Sequence, residues 1–365
     1  MIIRLLLLSL IICVISVSAC TPHATSTPEE TSAPTTPIPE QALKSRFGYM
    51  AHHTDWQELQ DDREEYSYLS WERAHPGFAN WQEIEPREGE HHWEKIDQYV
   101  ITAQENDIQI LFTVWPFTDW DQERCNLRYK WQPNDWGKDP RHFISLAHRK
   151  GRPCDMGAYR EFLRLLVERY DGDSKEDMPD LLYPIKYWEI GNEPDGAYSP
   201  DVGGLFFQGS ARDYFDILKT SYVTIKDTDP YAIVLITALP SIIHHLGYGE
   251  VPEWVCPDFN LIELFELGVS KYFDIINLHE FGNTEEVVRF MQRYGAVDKP
   301  IWITEPGGIT EFMKRAEDKN IPLATILEAE FEKEFQCGVE RIFVGGPESL
   351  KQALHEAILT IEKPK

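Results

Sequence analysis

The chain is short of positive charge. Its 365 residues hold 35 lysines and arginines against 61 aspartates and glutamates, a net charge of −26. Nucleic-acid binding needs a positive surface, so that class is excluded, and adhesion to anionic lipid through charge is disfavoured. Long apolar runs are scarce too. The clearest, residues 5–17, is too short and too weakly flanked for a stable membrane span. No Gly-rich turn follows the first strand-like run, Phe47-Gly-Tyr-Met50, which argues against a doubly wound, dinucleotide-binding sheet. Cysteines number six, and none has zinc-site spacing. No lysine or metal-ligand cluster marks a strand end, so a barrel lyase or a metal hydrolase lacks its key residues. No metal and no cofactor is expected.

What the N-terminus does have is a leader-like pattern. Arg4 is the positive n-region and residues 5–17 the h-region. Val17-Ser-Ala-Cys20 resembles the lipobox of bacterial-type lipoproteins. That resemblance implies a signal peptide over residues 1–20 and lipidation at Cys20; an ordinary secretory signal cleaved near Ala19 is the alternative. Residues 21–42 are rich in Thr, Pro and Ser without apolar periodicity, the composition of a disordered tether. Residues 43–365 form the expected catalytic domain. The protein is expected outside the cytoplasm, held to a membrane by its lipid anchor, or secreted if not lipidated, and monomeric. Four cysteines then remain in an oxidising compartment: Cys125, Cys154, Cys256 and Cys337. They allow three pairings. Cys125–Cys154 is the most local, since both flank one polar insertion; four free thiols remain the alternative.

Beyond residue 46, short apolar runs alternate with amphipathic stretches. Strands are expected at residues 47–50, about 74–79, 108–114, 185–190, 232–238, 273–278, 300–304 and 341–344. Helical spacing marks residues 94–106, 156–170, 211–226, 260–267, 284–293, 323–335 and 349–361. Eight strand–helix units in roughly 320 residues predict an α/β fold of the (β/α)8 barrel type, whose chemistry sits at the C-terminal strand ends.

Two strand-like runs end on a glutamate: Tyr187-Trp-Glu-Ile-Gly-Asn-Glu-Pro194 and Ile301-Trp-Ile-Thr-Glu-Pro306. A carboxyl group at the mouth of a buried strand is costly to hold there without a task. Strand alternation predicts that Tyr187, Glu189, Gly191 and Glu193 share one face, and that Ile301, Ile303 and Glu305 share another. If both faces point into the barrel, Glu193 and Glu305 converge, the minimum needed to break a glycosidic bond.

Asn192-Glu193-Pro194 with Glu305 resembles the clan A glycoside hydrolases. Trp81-Gln-Glu-Ile-Glu-Pro-Arg-Glu-Gly89, Trp93, Asp97 and Arg169-Tyr-Asp-Gly172 are similar to the xylosidase-like and galactosidase-like families of that clan. The resemblance implies a retaining hydrolase of β-glycosidic bonds in oligo- or polysaccharides, a carbohydrate substrate, Glu193 as general acid/base and Glu305 as nucleophile. Asn192 then contacts the sugar 2-hydroxyl, and His279 stands beside the nucleophile. The arginine the clan carries on strand two falls on His75 or Arg73. Phe281 stands where a tyrosine is usual, and Arg341-Ile-Phe-Val-Gly-Gly346 has no strand-eight tryptophan. Trp115 and Trp120, at the end of strand three, are candidate stacking platforms. A non-catalytic carbohydrate-binding protein of the same barrel is the alternative function. Asp171-Gly-Asp-Ser-Lys-Glu-Asp177 is read as a solvated turn and not a calcium loop.

Overall fold

Eight short strands run parallel around a cylinder: β1 Phe47–Ala51, β2 Trp71–Ala74, β3 Gln109–Val114, β4 Tyr187–Ile190, β5 Ile233–Ile236, β6 Ile276–Glu280, β7 Ile301–Gly307 and β8 Val339–Val344. The computed structural model describes residues 45–51, 68–132, 135–136, 144–196, 198–201, 203–245, 250, 252–346 and 348–363. All belong to the unit Pro34–Lys365. The signal segment, Cys20 and the tether lie outside the described residues. β1 pairs with both β2 and β8, and the seam between β5 and β6 is joined by the Leu235–Ile275 bridge. There Asp274 N–H donates to the Val234 carbonyl at 2.7 Å. The fold is a (β/α)8 barrel.

Side-chain layers fill the cylinder. At the bottom, Trp71, Tyr187 and Trp302 meet ring to ring, at 4.8 Å, 5.4 Å and 5.2 Å between centroids. Leu111, Leu235, Ile275 and Phe343 complete that layer. The Arg341 guanidinium lies 3.8 Å from the Trp71 ring and 4.4 Å from Trp302. Gly48 makes this packing possible, because a β-carbon there would fall 2.6 Å from the Phe343 ring. Above the aromatic layer comes a polar one: Arg73, Thr113, Glu189, Asn277 and Thr304, all buried. Helices such as α1 (Glu94–Glu105) and α3 (Met156–Glu168) pack their apolar stripes against the outside.

Three elements depart from the expected pattern. Strand two is Trp71–Ala74, not residues 74–79; Glu72 and Arg73 interrupt its apolar pattern, although both are buried. Helices at Asp119–Cys125 (α2) and Ile309–Lys319 lie outside the expected ones. Cys125, ending α2, is bonded to Cys154, with Cys256 and Cys337 free. Asp121 reinforces that corner by accepting from the backbone N–H of Cys154 and Asp155, each at 2.8 Å.

Candidate active site

The polar layer holds up the site. Arg73 is fully buried and divides its N–H groups among three partners. It meets Glu189 with Nε and Nη2 at 2.6 and 3.2 Å, Glu305 with Nη1 at 2.8 Å, and Asn192 Oδ1 with Nη2 at 2.7 Å. Arg73 therefore takes the strand-two arginine position. His75 lies near it, with Nδ1 at 3.7 Å from Glu305. Glu189 is the counter-ion beneath the site. It also accepts from Thr113 Oγ1 at 2.7 Å and from Asn277 Nδ2, which accounts for a third carboxylate on the same run as Glu193.

Glu305 does not arrive by simple alternation. Trp302 sits in the inner aromatic layer and Thr304 in the polar layer, while Ile301 and Ile303 pack outward with the main core. The expected shared face of Ile301, Ile303 and Glu305 is therefore incorrect. An irregularity in the β6–β7 pairing, where Leu278 faces Ile303 but Glu280 faces Gly307, resets the chain and turns Glu305 inward. Glu193 likewise lies beyond the end of β4, at a left-handed φ of 38°. Its backbone N–H is anchored on Thr237 Oγ1 at 3.1 Å.

The two carboxylates meet. Glu193, Glu305 and His279 each bring an atom within 4.8 Å of the others. His279 Nδ1 is 2.7 Å from Glu193 and 3.7 Å from Glu305. The hydrogen-bond chain sets the imidazole. Thr304 donates to Asn277 Oδ1 at 2.8 Å, so its oxygen accepts from His279 Nε2–H at 3.2 Å. His279 Nδ1 and Glu193 Oε1 face each other across a hydrogen bond. Burial disfavours the imidazolium, but the charge of Glu305 and the bond and charge of Glu193 outweigh it and raise the His279 pKa. For Glu305, burial works against ionisation, yet His279, Arg73 and His75 hold its carboxyl far below the usual range. Glu305 is thus held as an anion. A cation bound by this trio would sit against the Arg73 guanidinium, which already occupies Glu305.

Asn192 turns Oδ1 to Arg73, and no described residue accepts from its Nδ2, which leaves that amide to donate to a ligand. Trp115 and Trp120 are not placed as platforms. Trp115 is fully buried, against His75 and Phe206, and its Nε1 donates to the Pro76 carbonyl. Trp120 packs edge-on to Trp81, donates to the Glu85 carbonyl, and has Arg124 over its ring at 4.7 Å. Phe281 packs outward on Phe312 and Phe331. The Trp81–Glu85 and Asp97–Arg169 motifs are scaffold: Trp81 Nε1 donates to Glu85 at 2.7 Å, and Arg169 Nε to Asp97 at 2.8 Å. In the acidic turn, Asp171 and Asp177 accept from backbone N–H groups of the turn itself.

The chain superposes on a glucosidase from Croceicoccus marinus with a TM-score of 0.51 and 14% identity, covering 89% of this chain and 63% of that one. The fold is shared with glycoside hydrolases. A family 39 glycoside hydrolase from the gut symbiont Bacteroides cellulosilyticus WH2 matches with a TM-score of 0.50 and 12% identity, over 87% of this chain and 60% of that one. The chain thus spans less than two thirds of either of these two. No family profile and no curated protein matches it.

Proposed function

We propose that the protein is a retaining glycoside hydrolase that cleaves β-glycosidic bonds by double displacement. The observation that carries this reading is the approach of Glu193 and Glu305 to within 4.8 Å at the barrel mouth. Retaining enzymes hold their carboxyls about 5–5.5 Å apart, whereas inverting ones need about 6.5–9.5 Å to admit a water. Glu305, ionised by its cationic neighbours, attacks the anomeric carbon. Glu193 gives its proton to the departing oxygen, and a glycosyl ester forms on Glu305. Glu305 has then lost its charge, so Glu193 ionises readily and takes a proton from the water that hydrolyses the ester. Asn192 Nδ2 donates to the sugar 2-hydroxyl. No cofactor takes part. The likeness to a glucosidase makes β-glucosides, with β-xylosides, the first substrates to test.

Glu305→Ala is expected to abolish turnover of every aryl β-glycoside. Glu193→Ala spares those with good leaving groups, because only its role depends on leaving-group basicity. Equal, mild losses in both variants would reject the assignment. The enzyme works outside the cytoplasm as a monomer, tethered by lipid at Cys20. Among the described residues no helix is long and apolar enough to cross a membrane. Cys20→Ala should release the protein from membranes.

A further inference from the structure

Glu193 stands on an unusual stretch of backbone. Its φ of 38° is a left-handed value that costs energy in any residue with a β-carbon. Such a conformation persists only where the surroundings over-determine it. Among the described residues only His279 hydrogen-bonds the Glu193 carboxyl, so its aim depends on how the main chain beneath it is held. The loop after β5 supplies that constraint, from both sides of Glu193.

Upstream, Tyr214 ties the two strand ends together from the helix Ala211–Thr228. Its hydroxyl donates to the carbonyl of Ile190, the last residue of β4, at 2.9 Å. The same oxygen accepts from the N–H of Thr237, just past β5, at 3.3 Å. Thr237 Oγ1 in turn accepts from the Glu193 N–H. Downstream, Pro194 has no N–H to contribute, and the next side chain able to anchor the loop is Asp195. It is fully buried, as is Ser241. Asp195 Oδ2 accepts from the Ser241 backbone N–H at 3.1 Å and from the Ser241 hydroxyl. The Asp195 carbonyl accepts from Cys256 N–H at 2.8 Å, further along the same loop. Gly196 N–H closes the turn on the Glu193 carbonyl at 3.1 Å. A β-carbon at Gly196 would fall 2.9 Å from the Pro240 ring, so the two loops touch there with no room to spare.

We propose that Asp195 is a positioning residue for Glu193: by holding Ser241 and Cys256 it locks the left-handed turn that keeps the acid/base carboxyl against His279 and aimed at the departing oxygen. This rests on the glycosidase reading. Asp195 touches neither substrate nor the reacting atoms, and acts only through the main chain it shares with Glu193.

The test is how kcat/KM depends on leaving-group acidity. It uses the 2,4-dinitrophenyl, 4-nitrophenyl and phenyl β-glucosides and β-xylosides, on wild type, Asp195→Ala, Asp195→Asn and Ser241→Ala. A general acid held out of place penalises poor leaving groups and spares good ones. Asp195→Ala is expected to lose roughly 10- to 100-fold on the phenyl glycoside, the effect of a displacement of about 1 Å, and almost nothing on the dinitrophenyl one. Asp195→Asn keeps an acceptor for both Ser241 bonds and should follow wild type. Ser241→Ala keeps the backbone bond and should fall between the two. Equal losses across the series in Asp195→Ala would mark a purely structural role and overturn the assignment. So would an unchanged series, or an Asp195→Asn as impaired as Asp195→Ala. If Asp195→Ala does not fold, Ser241→Ala decides, and a series parallel to wild type would overturn the assignment. A wild type inactive on all the glycosides would instead overturn the glycosidase reading, and this inference with it.

Discussion

Replacing Arg73 by methionine removes the cation that Glu189, Asn192 and Glu305 share. The guanidinium is fully buried, and Glu189 beneath it is equally sealed from water. Taking one member of a buried pair costs about 3–5 kcal/mol, because the other charge is left uncompensated. Thr113 and Asn277 still donate to Glu189, which places the expected loss toward the lower part of that range. The double variant Arg73→Met/Glu189→Leu removes both charges and should recover more than half of the loss in a urea titration. Activity does not return with it, because Glu305 has lost a group that keeps it ionised. Its pKa rises, so the acid limb of any residual activity in Arg73→Met moves to higher pH. A single-variant cost below about 1 kcal/mol, typical of an exposed pair, would refute the reasoning. So would a double variant no more stable than the single one.

Two further outcomes are expected. Burial pushes Asp195 from the ordinary 3.8 up to about 7, against the help of Ser241, and its Oδ1 has no partner among the described residues. The stability carried by its protonated form is complete below pH 3.8 and lost as pH rises through about 7. Asp195→Asn has no such charge to acquire, so its Tm should gain on wild type between pH 4 and pH 8; a constant gap would count against the buried carboxyl. The Cys125–Cys154 bridge spans 29 residues, and loop closure makes it worth about 3–4 kcal/mol. Cys125→Ser/Cys154→Ser should show that loss in chemical denaturation, whereas a loss under about 1 kcal/mol would mean the corner around Asp121 holds without it.

The barrel and both glutamates were legible because apolar runs ending on a carboxylate are rare, and each pointed to a strand mouth. Arg73 was harder to place. Its strand is four residues long and carries two charges, so hydrophobic pattern alone put the strand too late. The route of Glu305 was illegible for another reason: alternation would send it outward, and only the irregular β6–β7 pairing brings it in. Pattern reading assumes regular pleating, and this site is built where pleating fails. Trp115 and Trp120 show the reverse error. Their place at the end of strand three suggested sugar platforms, but packing against His75, Phe206 and Trp81 claims them first.

The central claim is a covalent bond between sugar and Glu305. Incubation with an activated 2-deoxy-2-fluoro-β-glycoside of an accepted sugar, followed by proteolysis and mass spectrometry, tests it directly. Slow turnover of the fluorinated ester lets it accumulate. The account predicts one added glycosyl group, on the peptide carrying Glu305, and none in Glu305→Ala. A label on Glu193, Glu280 or any other carboxylate, or hydrolysis of natural substrate with inverted anomeric configuration, would contradict it.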